Sequence, residues 1–83
     1  MERKEVVIPR IGMQIMRAKV HWLKEVGDFV DMREPVIEAT SEVGTVSLAG
    51  KTTGVIVEIT KNDVEVDIGE PVGYIQPAEK EQK

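Results

Sequence analysis

Side chains able to do chemistry are few in this chain, and their spacing rarely lets two act together. His21 is the only histidine and there is no cysteine, so neither a Ser/His/Asp nor a Cys/His constellation can be assembled. His21 reads as a surface strand residue rather than a metal ligand or general base. The carboxylate pairs Asp28 with Asp31 and Asp63 with Asp67 fall among turn residues of an acidic chain. Solvated turn chemistry accounts for them better than a calcium site or an acid/base pair. Gly50-Lys51-Thr52 invites a phosphate-loop reading, but five residues separate Gly44 from Gly50 where that motif has four, and no helical pattern follows. An enzymatic activity of the chain's own is therefore not expected.

What remains is the stretch Glu38-Ala39-Thr40-Ser41-Glu42-Val43-Gly44-Thr45-Val46-Ser47-Leu48. Extended-chain formers flank its centre: Val36 and Ile37 before, Thr45, Val46 and Leu48 after. Ser41, Glu42 and Gly44 supply turn chemistry, so the stretch predicts a hairpin. Its tip carries Val43. A β-branched apolar residue gains little burial at an exposed turn and its stiff side chain disfavours positive φ. That mismatch makes Ser41, Glu42, Val43 and Gly44 the candidate contact surface for a partner.

The elements that must position this tip follow from composition and periodicity. A chain of 83 residues is one domain, and one this small buries only about 60–65% of its unfolded surface, so its core is thin. Without cysteine, neither disulfides nor a thiolate zinc site can reinforce it. The first residues are charged and no apolar run is long, so neither a leader nor a membrane span is expected, and the cytoplasm is the expected location. A net charge of −4 argues against nucleic acid as the partner. The charge is uneven: Glu25, Asp28, Asp31, Glu34, Glu38 and Glu42 face Arg33 alone in residues 25–42. This run is either a solvated surface or an acidic docking face near the hairpin.

Residues 1–5 read as loose, and Val6-Val7-Ile8 as a short strand ended by Pro9. Ile11 to Met16 is a loop that wraps the sheet edge, its methionines serving as adaptable packing. Lys19 to Lys24 alternates as a strand with Val20 and Trp22 on one face and His21 on the other. Phe29-Val30, Val55 to Ile59, Val64 to Val66 and Pro71 to Ile75 are further strands between Gly-, Pro- and Asp-containing turns. No helical period persists, and strands every eight to ten residues indicate an all-β sandwich or barrel. The domain is drawn at residues 1–76, with a flexible charged tail at 77–83.

The chain also repeats itself. An offset of 36 places Glu34-Pro35-Val36 on Glu70-Pro71-Val72, Val30 on Val66 and Val20 on Ile56. One unit of four short strands cannot bury its face alone. Two must pack sheet against sheet, giving a flattened barrel with approximate two-fold symmetry. Val43 then maps onto Glu79, and the hairpin and the termini should lie at opposite ends.

The order of these segments resembles the lipoyl/biotinyl domain family, most closely the lipoyl domain of 2-oxo acid dehydrogenase acyltransferases. The resemblance runs from Val6 to Ile75. Its carriers are Ile8-Pro9-Arg10-Ile11-Gly12-Met13, Trp22 to Val30, Glu34-Pro35-Val36, Gly54-Val55 and Gly69-Glu70-Pro71-Val72. It implies a barrel-sandwich of two four-stranded sheets, with a lysine at the tip of the central hairpin that receives lipoate or biotin. Counting back from Gly54 and forward from Glu34-Pro35 puts that lysine at Val43, with Glu42 and Gly44 as its neighbours. An isopropyl group offers no nucleophile for the amide, so no cofactor is expected there. Lys51, the next lysine after the tip, falls roughly 25 Å away at 3.3 Å per strand residue. Asp63-Val64 replaces a second-half Gly-Asp, and the segment from Met16 to Lys19 is about one residue short of the family pattern.

Three functions follow from the resemblance. The first is a non-catalytic lipoyl-like domain acting by protein–protein interaction, with partners among 2-oxo acid dehydrogenase-like or other acyl-transfer components. The second is a lipoyl carrier that has lost its lysine or is modified elsewhere. The third is a structural barrel of a membrane-fusion-type adaptor, against which the full internal repeat and the start methionine favour a self-contained protein.

Overall fold

The computed structural model describes residues 3–78. Among them are eight strands and no helix: β1 (Lys4–Val7), β2 (Arg17–Trp22), β3 (Phe29–Val30), β4 (Pro35–Ser41), β5 (Gly44–Ala49), β6 (Gly54–Ile59), β7 (Val64–Asp67) and β8 (Pro71–Pro77). They form two antiparallel four-stranded sheets, ordered β1-β8-β6-β3 and β5-β4-β2-β7. The all-β, two-sheet architecture expected from the sequence is the one found. With no helix present, no described segment is a long apolar helix able to cross a membrane.

Alternation decides which side of each strand faces the core. In β2, Ala18, Val20 and Trp22 are buried while Arg17, Lys19 and His21 are exposed. The exposed side is itself matched across the sheet. Arg17 stands opposite Asp67 and Lys19 opposite Glu65 on β7, and His21 Nδ1 lies 2.6 Å from Asp63 Oδ1. A basic strand against an acidic one favours this register, and a one-residue slip would turn Val20 and Trp22 into solvent. Between the sheets, Ile8, Val20, Val36, Ile37, Ile56 and Ile75 are fully buried, and no described polar or charged residue is buried with them.

The repeat is present in backbone detail. β4 and β8 are offset by 36 residues along their whole length. The turns before them are built identically. Glu34 N–H donates to Asp31 O at 3.0 Å and Glu34 Oε1 accepts from Asp31 N–H at 3.2 Å; Glu70 and Asp67 repeat both bonds at 3.1 and 3.2 Å. Gly27 with φ 99° is matched by Asp63 with φ 60°, so the second half keeps the left-handed turn after losing its glycine. Aspartate tolerates that region better than most residues.

The halves do not form one sheet each. In each sheet the central pair, β8-β6 or β4-β2, comes from one half and both edge strands come from the other. The stacking of two separate units, inferred from the repeat, is thereby corrected to an interlocked pair. A short strand such as β3, of two residues, is held in its sheet by pairing with β6 of the other half.

Other sequence expectations shift by a few residues. β1 opens at Lys4, inside the segment read as loose, because its pairing with β8 continues to Lys4 opposite Ile75. Ile8 leaves the strand after a bulge at Val6/Val7 but stays buried. The strand read as Lys19 to Lys24 is Arg17–Trp22, since Leu23 N–H turns to Val36 O at 2.8 Å. Lys24 Nζ then reaches Glu34 Oε2 at 2.7 Å, and that hydrogen bond, with the charge of Glu34 second, holds the ammonium above its usual pKa. At the other end β8 runs through Pro77, and Ala78 N–H donates to Thr53 O at 3.0 Å. Residues 79–83 lie outside the described residues, and with them most of the tail and Glu79, the counterpart of Val43.

Trp22 ties the two sheets together. Its Nε1 donates to Lys61 O at 2.9 Å and its backbone N–H to Asn62 Oδ1 at 2.9 Å, while the ring covers Gly73 on the opposite sheet. A Cβ on Gly73 would sit 2.4 Å from Trp22 Cζ2 and 2.8 Å from Glu58 O. Gly73→Ala must push apart a backbone and an anchored ring, so it should destabilise the fold by about 1–3 kcal/mol. Urea unfolding followed by Trp22 fluorescence measures it, with an unchanged midpoint as the contrary result.

Candidate functional site

The hairpin tip is shaped by the pairing behind it. β4 and β5 pair from Ile37 opposite Leu48 up to Ser41 opposite Gly44, which leaves Glu42 and Val43 as a two-residue turn. Thr40 and Thr45 hydroxyls lie 2.9 Å apart across the ladder just below it, and Val43 N–H donates to Ser41 Oγ at 3.3 Å. Neither Glu42 nor Val43 has positive φ; the excursion falls on Gly44, at φ 126°. The steric objection to a β-branched residue here is therefore removed by its neighbour. Val43 remains 70% exposed, so its placement gains almost nothing from burial.

A second element lies beside the tip. Gln14, Ile15 and Met16 line one shallow groove together with Arg17, Glu42 and Glu65. Met13 and Met16 are 88% and 72% exposed, which overturns their reading as packing for the sheet edge. Ile15 takes the inward position instead, its N–H closing a turn on Gly12 O at 3.2 Å. Three exposed apolar residues, Met13, Met16 and Val43, thus stand on the tip and the loop whose residues share its groove. The sequence held a signal for the loop's part: Gly12 and Ile15 at turn spacing leave the methionines between and after them facing out.

Among the described residues, nothing at this apex can hold lipoate or biotin as an amide, because Val43 carries no amine. The described lysine that pairing brings nearest along the hairpin is Lys19, opposite Thr40, three residues short of Val43. It projects from the middle of a sheet face beside Glu65 rather than from a turn. Lys51 stands beyond the far end of β5. At the apex itself, the residues present offer no amine for the cofactor implied by the resemblance.

The other candidates are settled individually. The acidic run is not one face at the hairpin. Glu25 and Asp28 close one turn and Asp31 and Glu34 another, at the start of β4, whereas Glu42 follows its other end. Asp63 is taken by His21 and Asp67 by Arg17, whose Nε lies 3.2 Å away. No group of acidic or histidine side chains among the described residues could hold a metal ion. Gly50-Lys51-Thr52 sits in the bend between β5 and β6 with no helix after it.

Comparison with known proteins finds relatives of one kind. No family model matches the chain. The dihydrolipoyllysine-residue acetyltransferase component of the pyruvate dehydrogenase complex of Corynebacterium glutamicum is 31% identical over 77 residues, covering 90% of this chain and 11% of that protein. The dihydrolipoyllysine-residue succinyltransferase component of the 2-oxoglutarate dehydrogenase complex of Bacillus subtilis is 30% identical over 73 residues, 86% of this chain and 18% of that protein. Its counterpart from Rickettsia typhi is 32% identical over 73 residues, with the same coverage of 86% and 18%. The chain spans less than a fifth of the length of these curated relatives.

Because the backbone asks nothing of residue 43, Val43→Lys should leave stability within about 0.5 kcal/mol of the parent. Gly44→Val places a β-branched residue at positive φ and should cost about 1–3 kcal/mol. Thermal unfolding of the two variants side by side checks this. Equal losses would mean that the turn is not organised around Gly44.

Proposed function

The chain belongs to the lipoyl-domain family, and from that premise we propose that it is a non-carrier member which works by protein–protein contact through its central hairpin. The observation that carries this reading is the apex itself: an exposed isopropyl group on an intact, well-paired hairpin. A carrier needs a nucleophilic amine there. A contact surface needs exposed apolar area, which Val43 supplies at the tip and Met16 in the groove beside Glu42. The proposed partners are protein components of a 2-oxo acid dehydrogenase-like or other acyl-transfer complex, in the cytoplasm. The kinship with acyltransferase components supports that choice.

A second reading rests on the same geometry. Since Gly44 alone takes the left-handed conformation, the apex would accept a lysine without rearrangement, as expected of a carrier that has exchanged its lysine for valine. One experiment can end either reading. The chain and its Val43→Lys variant are incubated with lipoate, ATP and a lipoate ligase, and intact masses are measured. No mass gain on the parent is the result expected. A lipoyl adduct on the parent would end the non-carrier reading, and Val43→Lys that stays unmodified would end the lost-lysine reading.

A further inference from the structure

Four strands end the two sheets: β1 and β3 on one, β5 and β7 on the other. An edge strand presents unpaired N–H and C=O groups, and proteins blunt such edges with charges, bulges, proline or brevity. Three of the four are blunted. β3 has two residues, β7 carries Glu65 and Asp67, and β1 carries Lys4 and Glu5 with a bulge at Val6/Val7 and Pro9 beyond. β5 has six residues, Gly-Thr-Val-Ser-Leu-Ala, with no charge and no proline. The contrast is sharpest at positions related by the two-fold. Lys4 and Glu5 pair with Ile75 and Tyr74, and their counterparts Val46 and Ser47 pair with Ala39 and Glu38.

We propose that the open edge of β5 is a self-association surface, pairing antiparallel with β5 of a second copy about a two-fold axis centred on Ser47. Hydrogen-bond alternation fits this register. The Ser41/Gly44 pair closes a two-residue turn, so Gly44, Val46 and Leu48 direct their backbone groups to β4, and Thr45, Ser47 and Ala49 direct theirs outward. Centring on Ser47 places Ser47 opposite itself and Thr45 opposite Ala49, so all the outward groups find partners. On the other face, Val46 meets Leu48 of the second copy, twice. Val46 is 37% exposed and Leu48 is only partly buried against the core; each gains cover.

The ends of the paired strands are complementary too. Glu42 at each tip comes alongside the far end of the second copy's strand, where Lys51 stands, so opposite charges meet at both ends. The result is one continuous eight-stranded sheet running β7-β2-β4-β5 and then β5-β4-β2-β7. Its outermost strands are the charged β7 edges, so the assembly closes at two copies. Six residues per strand is a small interface, which sets the dimer among weak and transient contacts. This surface is independent of whether residue 43 is modified.

Sedimentation equilibrium of the full chain from ~10 µM to ~1 mM, the range a small interface demands, tests the proposal. The weight-average mass should rise from the 9.2 kDa of one chain toward that of two. Ser47→Lys and Ser47→Glu each set like charges against one another at the axis and should each stay at one chain throughout, with parental circular dichroism. An equimolar mixture of the two should recover association at least tenfold over either alone. A parent that stays at one chain would overturn the proposal and leave β5 to an extended segment of another protein. So would variants that associate as readily as the parent, or masses that climb past two chains.

Discussion

Two hydrogen bonds hold the halves of this protein in each other's grip. Gly27 N–H donates to Ile56 O and Asp63 N–H to Val20 O, both at 2.7 Å, and the two are images under the internal two-fold, since Val20 and Ile56 are themselves equivalent. Each bond runs from the turn entering an edge strand of one half to a fully buried residue on a central strand of the other. Together with the exchange of edge strands they make the fold indivisible. A half taken alone would have its central pair stripped of both edges, and its apolar side chains would face water on a two-stranded ribbon, which is marginal at best. Cooperative folding in a chain with so thin a core rests on this mutual dependence rather than on core volume.

The constraint explains which departures the sequence can absorb. Glycine is the natural occupant of a left-handed turn, and Gly27 has φ 99°. Its counterpart Asp63 holds φ 60° because the same inter-half bond must be made there. The side chain then becomes useful: Asp63 Oδ1 meets His21 Nδ1 at 2.6 Å on the face where Arg17 and Lys19 already oppose acidic residues of β7. A residue that costs backbone energy is compensated in part by closing a cross-strand ladder of polar side chains, an exposed and individually weak set of contacts. The lone histidine belongs to that ladder, as its place on the outer side of a strand implies.

Strand content was legible because β-branched runs and Gly, Pro and Asp turns alternate so regularly, and the repeat was legible because Pro35-Val36 and Pro71-Val72 recur in like surroundings. Strand order was not. Nothing local in Phe29-Val30 or Val64 to Asp67 says that each will pair with the other half, since pairing partners are chosen by three-dimensional closure. The same gap hid the proximity of Lys19 to the hairpin, which depends on β2 lying beside β4. It also hid the scattering of the acidic run, which one strand's length pulls apart. The methionines misled for another reason. Their composition suits a core, but a turn on Gly12 hands the inward position to Ile15, and local geometry outweighs hydrophobicity where only one side chain in five residues can point in.

The apex of the central hairpin is decoupled from everything that makes the fold stable. Ladder pairing ends at Ser41 and Gly44, the left-handed strain is confined to Gly44, and Val43 touches water over most of its surface. Substitution at such an exposed, unstrained position typically changes folding free energy little, so the scaffold places little demand on the identity of residue 43. An amine or an isopropyl group would be carried equally well. What distinguishes them is chemistry with another molecule: the first is a nucleophile and a point of attachment, the second is apolar area offered to a protein surface. A stable fold with an indifferent apex can therefore change the chemistry it offers there by one side chain, while the paired sheets behind it stay as they are.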